Sequence, residues 1–201
     1  MIDSTYDIKI VFLGPENAGK TSIINRYCQS LFIPETLPTI GAGFFSHSLQ
    51  VNDTNTNLLL WDTAGEERFR CVTPALLRGA QGLVLVYDLI KPSFHDVTVY
   101  LDMFLETVNV DPEHLPILLL GNKYDLVESS TEKSEEIIQE EINEYCDKHK
   151  IHHHAFVSAK INYGIDESIY LFIASLLNTL LKVDDPIMIP ISNKKEEKLC
   201  F

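Results

Sequence analysis

Basic residues are scarce in this chain: 16 lysines and arginines stand against 29 aspartates and glutamates among 201 residues, for a formal net charge of −13. That balance argues against nucleic-acid binding through a basic surface and against a polybasic patch for anionic lipid. Cysteine is also sparse, and Cys28, Cys71, Cys146 and Cys200 lie too far apart for a metal-ligand set or a disulfide scaffold, which fits a reducing compartment. Long apolar runs are missing; Leu83 to Tyr87 and Pro116 to Leu120 fall far short of the roughly 20 residues that span a bilayer. Residues 1–7 lack the positive region and apolar stretch of a secretory signal, so an intracellular protein is expected. No internal repeat of a solenoid kind is visible.

What the chain does have is an alternation of short apolar runs with longer amphipathic stretches, the pattern of parallel strands joined by crossover helices. Ile8 to Leu13, Leu83 to Tyr87, Ile117 to Leu120 and Ala155 to Val157 read as central strands, because a strand covered on both faces needs continuous apolar sequence. Phe44 to Val51 and Asn57 to Trp61, separated by the polar run Asn52 to Thr56, read as an edge hairpin. After Gly164, Ile165, Ile169, Phe172, Ile173, Leu176, Leu177 and Leu180 recur at helical spacing. Glu132 to Lys150 is a second helix candidate, with Ile138, Ile142, Tyr145 and Cys146 on one face. The expected fold is α/β, with a sheet of about six strands and one domain over residues 1–182; residues 183–201 are expected to form a flexible tail.

The first strand runs into Gly14-Pro15-Glu16-Asn17-Ala18-Gly19-Lys20-Thr21, and Ser22 to Cys28 continues as a helix. This is the Gly-x-x-x-x-Gly-Lys-Ser/Thr loop in strand-loop-helix context. Its backbone N–H groups and the positive end of the helix dipole converge on phosphate oxygens. Lys20 would neutralise the β- and γ-phosphates and the Thr21 hydroxyl would hold Mg²⁺. Glu16, Asn17, Ala18, Gly19 and Ser22 belong to the same expected cradle. Further on, Asn122-Lys123-Tyr124-Asp125 lies at the carboxyl end of an expected strand, where open α/β sheets hold ligands. The Asp125 carboxylate can accept from the N1–H and exocyclic amine of guanine, and adenine offers no such donor pair. Backbone N–H groups of Ser158-Ala159-Lys160 are expected at the guanine carbonyl oxygen.

With these motifs in order, the chain from Asp7 to Lys182 resembles the small GTPases of the Ras superfamily and is most similar to Rabs. Thr39-Ile40-Gly41, Trp61-Asp62-Thr63-Ala64-Gly65, Glu67-Arg68-Phe69-Arg70, Arg78-Gly79-Ala80, Leu85-Val86-Tyr87-Asp88 and Ser93-Phe94 carry the likeness. The resemblance implies a P-loop NTPase fold, a six-stranded mostly parallel sheet with helices on both faces. It also implies GTP/GDP and Mg²⁺ as ligands, with Thr21 and Thr39 on the metal and Asp62 behind them. The Gly65 N–H would meet the γ-phosphate, Phe32 would stack edge-on near the base, and the catalytic group would comprise Glu66, Lys20 and Thr39. Effector, exchange-factor and activating proteins would act through residues 36–48 and 61–80, two switches that the γ-phosphate orders, with Phe44, Trp61 and Phe69 as exposed aromatics.

Several positions depart from the family. Glu66 stands where the family carries the glutamine that orients the attacking water; a carboxylate accepts only, and it adds charge beside an already anionic transition state. Glu16 replaces a small residue and is expected to crowd the γ-phosphate. Gly43 replaces an aspartate and Leu76-Leu77 a tyrosine pair, both in the effector-facing region, so an unusual partner set is expected. A single Cys200 fits neither double-cysteine endings nor the Cys-a-a-X rule, and membrane association would require its prenylation. His152 to His154 read as a solvated loop. The leading expectation is a monomeric GTP-dependent switch in vesicle-mediated transport with slow hydrolysis; a GTP-binding scaffold with negligible turnover and a P-loop kinase or ATPase are the alternatives.

Overall fold

The computed structural model of the chain describes residues 5–34, 37–65, 73–91, 94–108, 115–127 and 135–183. In chain order the elements are β1 (Thr5–Leu13), α1 (Lys20–Gln29), β2 (Ala42–Val51), β3 (Thr54–Thr63), α2 (Thr73–Leu77), β4 (Gly82–Asp88), α3 (Phe94–Val108), β5 (Ile117–Asn122), α4 (Glu135–His149), β6 (His153–Phe156) and α5 (Ile165–Val183). The six strands form one sheet in the order β2-β3-β1-β4-β5-β6. Only β2 runs antiparallel, against β3; the other pairs are parallel. The expected α/β fold is therefore observed.

Strand periodicity divides the core in two. Ile8, Ile10 and Phe12 of β1 face α1 and α5, where they pack with Ile23, Ile24, Phe172, Ile173 and Leu176. Val11 and Leu13 face the opposite layer, with Val97, Leu101 and Phe104 of α3 and Ile142, Tyr145 and Cys146 of α4. Each such fully buried apolar side chain stabilises the fold by roughly 1.5–3 kcal/mol. The apolar stripe of α5 read from the sequence is buried from Ile165 to Leu177, with Leu180 packed partly against it.

Three features differ from the sequence reading. The hairpin turn is tighter than Asn52 to Thr56: Asn52 (φ 46) and Asp53 (φ 62) form it alone, and Val51 pairs with Thr54. Two consecutive left-handed residues match the right-handed twist of a hairpin, and Asn and Asp tolerate that conformation. The strand expected at Ala155 to Val157 is β6, an edge strand, not a central one. Its flanking helix α5 and the neighbour β5 supply the burial that its apolar residues signalled. His153 and His154 belong to β6 and are not loop residues. No cluster of three or more His, Cys, Asp or Glu suited to a metal ion occurs among the described residues.

Partial burial lowers the pKa of both His153 and His154 below 6.5, and His152 pushes His153 further down. The unfolded chain thus binds these protons more tightly, and the stability that neutral imidazoles allow is lost as pH falls through 6.5. Urea midpoints measured between about pH 7.5 and 5.5 are expected to fall less steeply for His153→Gln than for the wild type.

Candidate functional site

Four strand ends deliver the site. The loop after β1, the end of β3, the end of β5 and the turn after β6 all open at the carboxyl edge of the sheet. Chain direction reverses its lateral progress there, with β3 on one side of β1 and β4 on the other, which leaves a crevice.

Gly19 begins α1 in a left-handed conformation (φ 91), and no side chain caps the helix. Its first-turn N–H groups therefore face the crevice with the positive end of the dipole. A Cβ on Gly19 would collide with the Asn122 amide. The buried Lys20 arches over the loop, and its Nζ donates to the carbonyls of Gly14 (2.8 Å) and Pro15 (2.9 Å). Burial pushes Lys20 down to about 8, with Asp62 and Glu16 acting in the opposite sense. Glu16 and Asn17 are exposed at the mouth, and Ala18 is buried behind them.

The Thr21 hydroxyl donates to Asp62 Oδ2 at 2.6 Å and lies 2.9 Å from Thr39 Oγ1, which is 3.2 Å from the same carboxylate oxygen. The other oxygen, Asp62 Oδ1, is buried without a hydrogen-bond partner among the described residues. Burial raises the Asp62 pKa, against the hydrogen bonds from Thr21 and Thr39 and the charge of Lys20. An orphaned carboxylate oxygen beside two hydroxyls is a hard oxygen set that fits Mg²⁺. Gly65 closes this end: a Cβ there would stand 2.5 Å from the Glu16 nitrogen and 2.7 Å from Lys20 Nζ. The Tyr100 hydroxyl of α3 donates to the Gly65 carbonyl at 2.7 Å. Sequence reasoning missed Tyr100, which reads as an ordinary core position.

At the other end, Asn122 Nδ2 donates to the Ala18 carbonyl (2.9 Å) while Asn122 Oδ1 accepts from the Ala159 N–H (3.2 Å). Asp125 Oδ1 accepts from Ser158 Oγ at 2.5 Å, and Lys160 Nζ lies 3.6 Å from Asp125 Oδ2. Ser158 thus acts through its hydroxyl as well as its backbone. Lys123 is held by Asp88 Oδ2 at 2.7 Å, a partner that the sequence motif did not assign. A cavity of about 450 Å³ lies between Phe32, Asn122, Lys123, Asp125, Ala159 and Lys160. It shares Asn17, Gly19 and Ser22 with a smaller one lined by Glu16, Lys20, Thr21, Thr39 and Gly65. Of the expected site residues only Glu66 lies outside the described residues, as do Phe69 of the second switch and Cys200.

Phe44 is exposed as expected, whereas Trp61 is half-buried against the core; the two rings meet edge-on at 5.4 Å, with Lys9 over the indole at 4.9 Å. Leu77 is fully buried, so of the pair Leu76-Leu77 only Leu76 reaches the surface. Helical spacing turns adjacent residues about 100° apart, which places one of them in the core.

Asn122→Ala strands two backbone groups at once, the Ala18 carbonyl and the Ala159 N–H. The expected loss of stability is about 2–4 kcal/mol, read as a lower urea midpoint at unchanged slope.

Known proteins resemble the chain along most of its length. A model of the Ras family matches residues 9–178. The Ras-related protein Rab-32D of Dictyostelium discoideum is 38% identical over 169 residues, 82% of this chain and 72% of the relative. Rab-7a of Paramecium octaurelia is 36% identical over 162 residues, 80% of this chain and 76% of the relative. Rab-18 of Lymnaea stagnalis is 35% identical over 175 residues, 86% of this chain and 81% of the relative. The neighbouring cavities and this likeness lead to one conclusion: the chain belongs to the Ras family, as a Rab-like small GTPase.

Proposed function

We propose that this chain binds GTP and GDP with Mg²⁺ and works as a switch of the Rab kind in intracellular vesicle transport, with slow hydrolysis. One observation carries the nucleotide reading: two neighbouring cavities that share Asn17, Gly19 and Ser22 are lined by a carboxylate, Asp125, in one and by the Lys20 ammonium in the other. Asp125 suits the donor edge of guanine, and the P-loop N–H groups with Lys20 suit the phosphates. Adenine lacks the matching donors, which disfavours a kinase or ATPase. Thr21, Thr39 and Asp62 are the residues that would hold Mg²⁺, which supplies charge neutralisation at the phosphates when bound.

In the nominal reaction water cleaves GTP to GDP and phosphate. Lys20 and the Gly65 N–H stabilise charge on the phosphoryl oxygens, and Thr39 joins them from the first switch. Glu66 replaces a donor with a carboxylate, and Glu16 adds a second acid at the phosphate mouth, where Gly65 rests on its backbone. These two acidic residues in the sequence also favour a second reading, a GTP-binding scaffold with negligible turnover.

Leu37 (91% exposed), Ile40 (83%) and Phe44 (55%) are exposed apolar side chains within five residues of Thr39 in the sequence, which supports effector binding in the γ-phosphate-ordered state. No described helix is long and apolar enough to cross a membrane. In this reading the protein is a monomer that sits peripherally on the cytosolic face of endomembranes, and prenylation of Cys200 is the attachment to test by intact mass.

Calorimetry with Mg²⁺ is expected to show GDP bound over ADP by on the order of 10⁴-fold. No preference, or no uptake of either, overturns the nucleotide reading. In single-turnover assays Glu66→Gln is expected to hydrolyse GTP about 10²-fold faster than the wild type. Equal rates would remove the claim of slow hydrolysis, and no turnover in either protein would leave the scaffold reading.

A further inference from the structure

Near the C-terminal end of α1, the Arg26 guanidinium reaches out of its helix to a turn more than a hundred residues away. Its Nε donates to the Ala159 carbonyl at 2.8 Å and its Nη2 to the Lys160 carbonyl at 3.1 Å. Its Nη1 donates to the Ser30 carbonyl at 2.8 Å, just past the end of α1. The guanidinium carbon also stands 6.0 Å from the centre of the Phe32 ring. One planar, permanently charged fork thus joins the end of α1, the root of the first switch and the turn after β6.

Two consecutive carbonyls captured from one side fix two peptide planes. No cis peptide bond occurs among the described residues, and in a trans peptide the C=O and the following N–H point in opposite directions. Binding of the Ala159 carbonyl to Arg26 therefore turns the Lys160 N–H away from Arg26, and both Ala159 and Lys160 line the cavity that also holds Asp125 and Phe32. The next peptide obeys the same rule: the Lys160 carbonyl is held by Arg26, and the Ile161 N–H on its far side donates to Ser158 Oγ at 3.3 Å. Arg26 is not itself among the residues lining the cavity.

We infer that Arg26 is a positioning residue for base recognition: it aims the Lys160 N–H at the carbonyl oxygen of a bound guanine and ties that contact to Phe32 at the opposite wall. The inference rests on the guanine-nucleotide reading and deepens it. Charge-assisted bonds to two carbonyls hold the turn before any nucleotide arrives, so the donor is preorganised and release of the base is slow. The Asp125 carboxylate is oriented by the Ser158 hydroxyl and the Lys160 ammonium, not by Arg26 directly. Arg26 therefore bonds the backbone behind one edge of the base and reaches the other edge only indirectly, through the Ile161 N–H on Ser158 Oγ.

That asymmetry makes the role testable in the full chain. Dissociation of fluorescently tagged GDP, 6-thio-GDP and IDP is followed for wild type, Arg26→Ala and Arg26→Lys. Sulfur is a poor acceptor and probes the Lys160 N–H, whereas inosine lacks the exocyclic amine and probes Asp125. In the wild type both replacements speed release. Both variants are expected to release GDP about tenfold faster, because lysine offers one point charge in place of a fork. The 6-thio penalty is expected to shrink toward one while the inosine penalty persists. Release of GDP at the wild-type rate overturns the proposal, and so does an equal shrinkage of both penalties, which marks general loosening. Should Arg26→Ala fail to fold, Arg26→Lys carries the comparison alone. A wild type that takes up no guanine nucleotide overturns the functional reading first, a result distinct from a wild type that binds and variants that behave like it.

Discussion

The Asn122 side-chain amide is the joint on which the rest of the site depends. It donates to the phosphate loop at Ala18 and accepts from the turn after β6 at Ala159, so segments more than a hundred residues apart are held in one frame. Asn122 can do this only because β5 is separated from β1 by the single strand β4, which brings their carboxyl ends within reach. The same contact explains why position 19 has no side chain: a Cβ there would occupy the amide's place. Both groups that Asn122 satisfies are buried backbone, where an unmet hydrogen bond is costly.

Electrostatics give the crevice a polarity that the whole molecule lacks. A chain with a net charge of −13 repels anions at long range, yet Lys20 and the open first turn of α1 make a local anion site. Lys20 is a desolvated cation whose pKa burial draws down to about 8, and a bound anion would raise it again. Asp62 lies close by, buried and with one oxygen lacking a partner among the described residues, so a desolvated cation and a desolvated carboxylate meet in one place. Perturbed groups of opposite sign meeting in one crevice mark a site built for a charged ligand, whereas a core would pair them fully.

Around this centre, contacts from the surrounding helices fix the loops. Tyr100 of α3 holds the Gly65 carbonyl, and Arg26 of α1 holds the Ala159 and Lys160 carbonyls. Each acts on a backbone group, so the loop residues themselves remain available to the crevice. Gly41 also accepts from the Ala64 N–H at 2.9 Å, which links the segment after Thr39 to the end of β3. The family likeness extends over these elements.

The α/β class, the helix stripe of α5 and the phosphate and base motifs were legible from Gly14 to Thr21, from Asn122 to Asp125 and from Ser158 to Lys160, because each is a local pattern of residue type and spacing. Thr39 and Asp62 came from the family resemblance alone, not from spacing or period. What no local pattern carries is a contact between a side chain and a distant backbone carbonyl, since every residue has that carbonyl. Arg26 and Tyr100 therefore read as a helix-end cation and a core aromatic until the sheet order set their partners beside them. The position of β6 at the sheet edge and the burial of Leu77 belong to the same class. Composition and period determine which residues prefer the interior, but only the assembled layers decide which neighbours they find there.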